Sequence, residues 1–249
     1  MDFNKLLSSF GNLESFDWSS ILKNNDISRD VQHHLVRMYL ALFACMCSSA
    51  LGVYVNMAYQ FGGHTASFFA AMGMLYWMNS DHNKVDTLRR TLMLCAFGFF
   101  KGLGLGSLVH MSLMIDPMLL PIALGGTMII FLCFSMSALI AQRRSYFYLS
   151  GLISSGMMML AGLSIMNMFF HSTQVYALQL YGGLVLFSGL VIVDTQMVVE
   201  KASKGSRDFA GHAADLFSNI FAIFAKVLII LMNKKNENDR ANERNRKRR

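Results

Sequence analysis

Charge and proline are both scarce in this chain. Only 15% of its 249 residues are charged and two are proline, whereas an ordinary soluble domain carries about a quarter charged residues. The shortage of charge excludes a water-soluble globule with a polar shell. The cysteines are few and badly placed for cross-linking. Cys45, Cys47, Cys95 and Cys133 all fall inside apolar runs, so no disulfide framework is expected. Cys45-x-Cys47 has no His or Cys cluster near it, which argues against a metal site. No Asn-x-Ser/Thr acceptor occurs. Residues 1–34 contain no apolar core of signal-peptide type, so the first span is expected to target the chain itself. What remains is 54% hydrophobic, with twenty Phe, twenty Met and a mean hydropathy of +0.40. That composition describes one lipid-solvated helical domain.

Apolar runs that read as spans fall at about residues 38–58, 65–79, 91–113, 118–141, 146–169, 176–199 and 213–232, the second of them short and the last interrupted by Lys226. The loops between them alternate in charge. Residues 80–90 carry three Lys or Arg, the connector has Arg143 and Arg144, and the turn at 200–211 has Lys201, Lys204 and Arg207. The loops near 59–64, 114–117 and 170–175 carry none. The positive-inside rule then puts the basic loops and the N-terminus in the cytosol. A seventh complete span would carry residues 233–249, with eight Lys or Arg, to the other side. The expectation is therefore an all-α membrane protein with six transmembrane helices and a seventh, central or re-entrant segment. Its parts are a cytosolic segment 1–34, a transmembrane domain 35–232 and a basic cytosolic tail 233–249. The tail lacks aromatics, so it suits anionic lipid or cytosolic proteins and not nucleic acid.

Two carboxylates interrupt the last apolar runs, and intramembrane charge is expensive enough to demand a reason. Asp194 and Asp215 are equidistant from Lys204–Gly205, the centre of the turn between the runs. A helical hairpin brings them to a similar depth. Two carboxylates that close repel and share a proton, and they offer hard oxygen ligands to Ca²⁺. Protons and Ca²⁺ would compete for one site. The bland alternative is that each caps a helix end. Lys101, mid-way along the third run, is a candidate counter-ion latch, or else snorkels. Lys226 and His212 are candidates for tuning the pair. His34, Glu200 and Asp208 are expected to be solvated. Gly102-x-Gly104-x-Gly106 follows no strand and is expected to serve helix packing.

Ala141-Gln142-Arg143-Arg144-Ser145-Tyr146 followed by Gly151, then Asp194-Thr195-Gln196 with Glu200-Lys201-Ala202 and Asp208, resemble the Bax inhibitor-1 family (transmembrane Bax-inhibitor-motif proteins). The likeness runs from about Gln32 to Met232. It implies an endoplasmic-reticulum protein that suppresses cell death, linked to cell-death regulators of the Bcl family. It also implies a pH-sensitive Ca²⁺ leak with no resident cofactor, Ca²⁺ being the transported ion. The implied fold is a central seventh helix wrapped by two three-helix layers. The family's di-aspartyl pH sensor carries over onto Asp194 and Asp215. The arginine latch of bacterial members has no counterpart in residues 65–79.

Two other classes compete. An intramembrane aspartyl protease also uses two aspartates, but Asp215 follows His212-Ala213-Ala214 where that family has Gly-x-Gly-Asp, and no Pro-Ala-Leu motif is present. No enzymatic activity is expected. A membrane-embedded interaction protein that conducts no ions is the stronger rival.

Overall fold

The computed structural model describes residues 29–59, 64–80, 87–140, 146–205 and 208–247. Most of the N-terminal segment, residues 141–145 of the connector motif, and Arg207 lie outside the described residues. Everything regular within them is helical: α1 Arg29–Tyr59, α2 His64–Ser80, α3 Thr87–Ile115, α4 Leu119–Ile140, α5 Tyr146–Phe170, α6 Thr173–Ser203 and α7 Phe209–Lys247. Six of these, all but α2, are long and apolar enough to cross a membrane.

Side-chain pairings fix the directions. Along α1 and α3, Cys45 Sγ donates to the Leu94 carbonyl at 3.4 Å and Ser48 Oγ to the Cys95 carbonyl at 2.7 Å. Further along, a Cβ on Gly102 would strike the Ser49 backbone, and one on Gly106 would strike the Asn56 side chain. Both helices therefore run the same way, in backbone contact. The glycines at 98, 102 and 106 form one small-residue stripe that allows it. Because α1 and α3 are parallel, the 17-residue α2 must return between them.

Helices α5 and α6 form the opposite case. Ile153 meets Gly189, Gly156 meets Leu186 and Leu160 meets Gly182, which is an antiparallel hairpin. Helix α5 is exposed on nearly every face, with Ile153 its one buried residue among those described. A helix apolar all round and unburied by protein belongs in lipid.

The result is two three-helix layers, α1–α3 and α4–α6, with α7 packed between them against α1, α3, α4 and α6. Its apolar residues Leu216, Phe217, Ile220, Ile223 and Leu228 are almost wholly buried and link the main core to a second cluster around Leu105, Val109 and Ala123. The expected central seventh helix is there, but it is not re-entrant. Helix α7 is unbroken for 39 residues, about 58 Å. Past its first turn it contains neither Gly nor Pro to break it. It crosses the bundle completely, and its far end is pinned by Lys235 Nζ to Asp116 Oδ2 at 3.0 Å in the α3–α4 turn. The basic tail thus continues as helix to Lys247 and leaves the bundle at the end opposite the Lys- and Arg-bearing loops.

A candidate ion site at the α6–α7 hairpin

The turn between α6 and α7 is shorter than the sequence suggests. It occupies residues 204–208, and Gly205 takes φ +81°, a left-handed conformation that glycine adopts without a steric cost. Asp208 then starts α7. Its Oδ1 accepts from the Gly211 N–H at 2.9 Å, an N-cap that satisfies one of the free donors of the first turn. The same oxygen accepts from Arg90 Nη2 at 2.6 Å. Arg90 comes from the first turn of α3, is wholly buried, and leaves Nε and Nη1 without a partner. Neither residue is the solvated loop charge that the sequence suggests. Asp208 is recruited by the helix end, and Arg90 by Asp208.

Further in, Asn219 Nδ2 donates to Asp194 Oδ2 at 2.5 Å. This bond bridges α6 and α7 one helical turn beyond Asp215. Asp194 is half-buried and Asp215 is exposed. The exposure is local, because Ala213, Ala214, Leu216 and Phe217 around Asp215 are all buried. Asp215 thus lies on the less buried face of α7, with Gly211 and Ser218 half-buried about one turn to either side. The two carboxylates are near enough to interact electrostatically, with Lys201 acting on both and Asp208 on Asp215. Asp194 lies nine residues before the end of α6 and Asp215 six after the start of α7. These offsets put them about 13 Å and 9 Å from the turn, towards the basic end of the bundle.

The rest of the Asp-Thr-Gln stretch faces a different helix. Thr195 Oγ1 is 3.4 Å from Ser135 Oγ, and Gln196 Nε2 donates to the Ala138 carbonyl at 3.1 Å. The first contact ties α6 to the body of α4 and the second to its last turn, whose carbonyls lack helical partners. Asp194 is thereby aimed from a helix held on two sides.

The candidate tuning residues do not gather around the aspartates. Lys101 Nζ lies over the Phe97 ring at 5.7 Å and the Phe221 ring at 5.4 Å, a cation–π cradle more than one turn deeper than Asp215. Lys226 Nζ sits over Phe187 at 5.6 Å and donates to the Gln179 carbonyl at 3.4 Å. It needs Gly183, where a Cβ would fall 2.5 Å from Nζ. His212 is buried, its ring edge-on to that of His34 with centroids 6.0 Å apart. His34 is accordingly a packed residue of the α1–α7 contact. Asn219, which holds Asp194, is weakly signalled by the sequence. Its signal is the Asp215-x-x-x-Asn219 spacing, which sets a second polar group one turn along an apolar helix.

Among the described residues, no three His, Cys, Asp or Glu side chains cluster as a metal cage.

Residues 31–236 match the family described as "Inhibitor of apoptosis-promoting Bax1". The chain is 37% identical over 219 residues to a probable Bax inhibitor 1 of Paralichthys olivaceus, covering 87% of this chain and 92% of that one. It is 36% identical over 232 residues to Bax inhibitor 1 of Homo sapiens, covering 92% and 96%. With Bax inhibitor 1 of Arabidopsis thaliana it shares 35% identity over 235 residues, covering 92% and 93%. A family match over most of the chain, joined to the all-helical membrane fold, makes this protein a member of the Bax inhibitor family.

Proposed function

We propose that this protein suppresses cell death from the endoplasmic-reticulum membrane by acting as a pH-sensitive Ca²⁺ leak. Asp194 and Asp215 form its gate. The observation that carries the reading is their convergence on facing helices at one end of the bundle, with Asn219 holding one of them. A passing Ca²⁺ takes the carboxylate oxygens as hard ligands. Protons compete for the same oxygens, so acidification closes the cation's path. Lys201 at the mouth moderates the negative field. Lys101 and Lys226, held by aromatic rings, leave cations beyond the pair, which favours brief occupancy over storage. By loop charge, the basic end with the N-terminus is cytosolic. No catalytic step is assigned to any residue.

A second reading has its own support. The relatives are named for inhibiting Bax, and α5 presents an exposed apolar surface within the membrane, on which a cell-death regulator of the Bcl family could dock without ion flow. Expressing the wild type and the Asp194→Asn/Asp215→Asn double variant in cells challenged by endoplasmic-reticulum stress separates the two. The leak reading expects the variant to lose both the lowered store Ca²⁺ and the protection. Protection retained with store Ca²⁺ unaltered would favour docking.

A further inference from the structure

A groove of about 380 Å³ opens between α2 and α3, lined by Met74, Trp77, Leu88, Arg89, Leu92 and Met93. It faces outward, since Leu88, Leu92 and Trp77 are 76%, 61% and 56% exposed, while Met93, at 6%, is buried beneath them. It also sits at one level. Trp77 is within the last turn of α2 and Arg89 within the first turn of α3, so both lie where hydrocarbon gives way to headgroups. Indole and guanidinium are the side chains expected at that boundary.

We propose that this groove binds one anionic phospholipid from the leaflet at the basic end of the bundle. The lining is apolar apart from a single guanidinium at the rim, so the occupant needs a hydrocarbon body and one anionic head. Met74, Leu88, Leu92 and Met93 receive the acyl chain, with the two methionines adapting to its kinks. Trp77 forms the wall at the glycerol level. Arg89 takes the phosphate, whose oxygens match its planar fork, and it prefers an anionic lipid because no headgroup cation there offsets the phosphate charge. Arg89 already has a partner, but a guanidinium carries five N–H donors and serves more than one acceptor. The surrounding field concentrates such lipids, because Lys201 and Lys204 lie at this end of the bundle as well. This site is separate from the basic tail, which leaves at the other end. It stands next to the gate's support, since Arg90, the following residue, holds Asp208 at the start of α7.

Native mass spectrometry of the purified full chain tests this, with phosphatidylglycerol and phosphatidylcholine of identical acyl chains added in turn and glycerol 3-phosphate as a chainless control. The wild type should retain phosphatidylglycerol about fivefold better, the weight of one cation at a membrane surface. Arg89→Gln should level the two lipids, and Arg89→Lys should fall between, having charge without the fork. Trp77→Ala should weaken both lipids alike. Arg37→Gln, an exposed cation on α1 away from the groove, should leave the preference intact. Equal retention of both lipids by the wild type, or a preference that survives Arg89→Gln, would overturn the proposal. So would glycerol 3-phosphate binding as well as the lipid, which would make the site one for free phosphate.

Discussion

At the scale of single residues, the strongest constraint is the cost of burying charge. Arg90 is completely buried and Asp208 is 18% exposed, so the two ends of their ion pair are not equivalent. Removing the carboxylate strands a cation that water cannot reach, whereas removing the cation leaves a carboxylate that still caps α7. Asp208→Asn should therefore cost about 3–5 kcal/mol. Arg90→Met, similar in volume and apolar, should cost about 1 kcal/mol. Thermal unfolding in detergent checks the order, and Arg90→Met as the more damaging change would contradict it. Asn219 follows the same logic on a smaller scale. Asn219→Leu removes the donor to Asp194 and should cost about 1 kcal/mol, as polar contacts between membrane helices do. Asp116, outside the membrane-spanning part, gives a pH-dependent contact. The Met118 N–H and then Lys235 hold its carboxyl below the ordinary carboxylate range. A depressed folded value means that the contribution is present above the unfolded value, about 4. It is lost as pH falls through the folded one. A spin label at Asn238 should stay ordered at neutral and mildly acidic pH and loosen only below that range, while Lys235→Gln should loosen it at every pH.

At the scale of elements, helix contact is decided by small side chains. Gly102 touches the Ser49 backbone, which cannot retreat, whereas the neighbour of Gly156 is the tip of the Leu186 side chain. Gly102→Ala should thus destabilise the α1–α3 pair by about 1–3 kcal/mol or prevent folding, and Gly156→Ala should be tolerated. Comparing monodisperse yield and thermal stability of the two variants tests this. The seven helical runs are legible from apolar length alone, and the packing role of the Gly102–Gly106 stripe from its spacing. The Arg90–Asp208 pair is not legible, because its members lie 118 residues apart and each reads locally as an ordinary loop charge. Lys101 is similar. Its position marks it as unusual, but only the meeting of α3 with α7 reveals Phe221 as its partner in place of an aspartate.

At the scale of the whole molecule, the path of α7 governs both topology and site. Loop charge alone favours a tail on the same side as the basic loops, and Lys226 within the last apolar run argues against a lipid-facing crossing. The bundle removes the obstacle by giving Lys226 an aromatic face, a carbonyl and the space above Gly183. A complete crossing puts the start of α1 and the far part of α7 at opposite ends of the bundle. An epitope after Arg249 should accordingly be inaccessible when only the plasma membrane is permeabilised, while one before Met1 is accessible. Matching accessibility at both ends would contradict the crossing. The same path brings Asp215 and Asn219 opposite Asp194, on which the proposed gate depends.

The gate is tested most directly by Ca²⁺ efflux from liposomes containing only the purified protein, followed as the bath is taken from neutral to mildly acidic pH. The account predicts efflux that declines with acidification in the wild type, and a pH response abolished or displaced by either Asp194→Asn or Asp215→Asn. Efflux in both variants with the wild-type pH profile, or no efflux from the wild type at any pH, would contradict it.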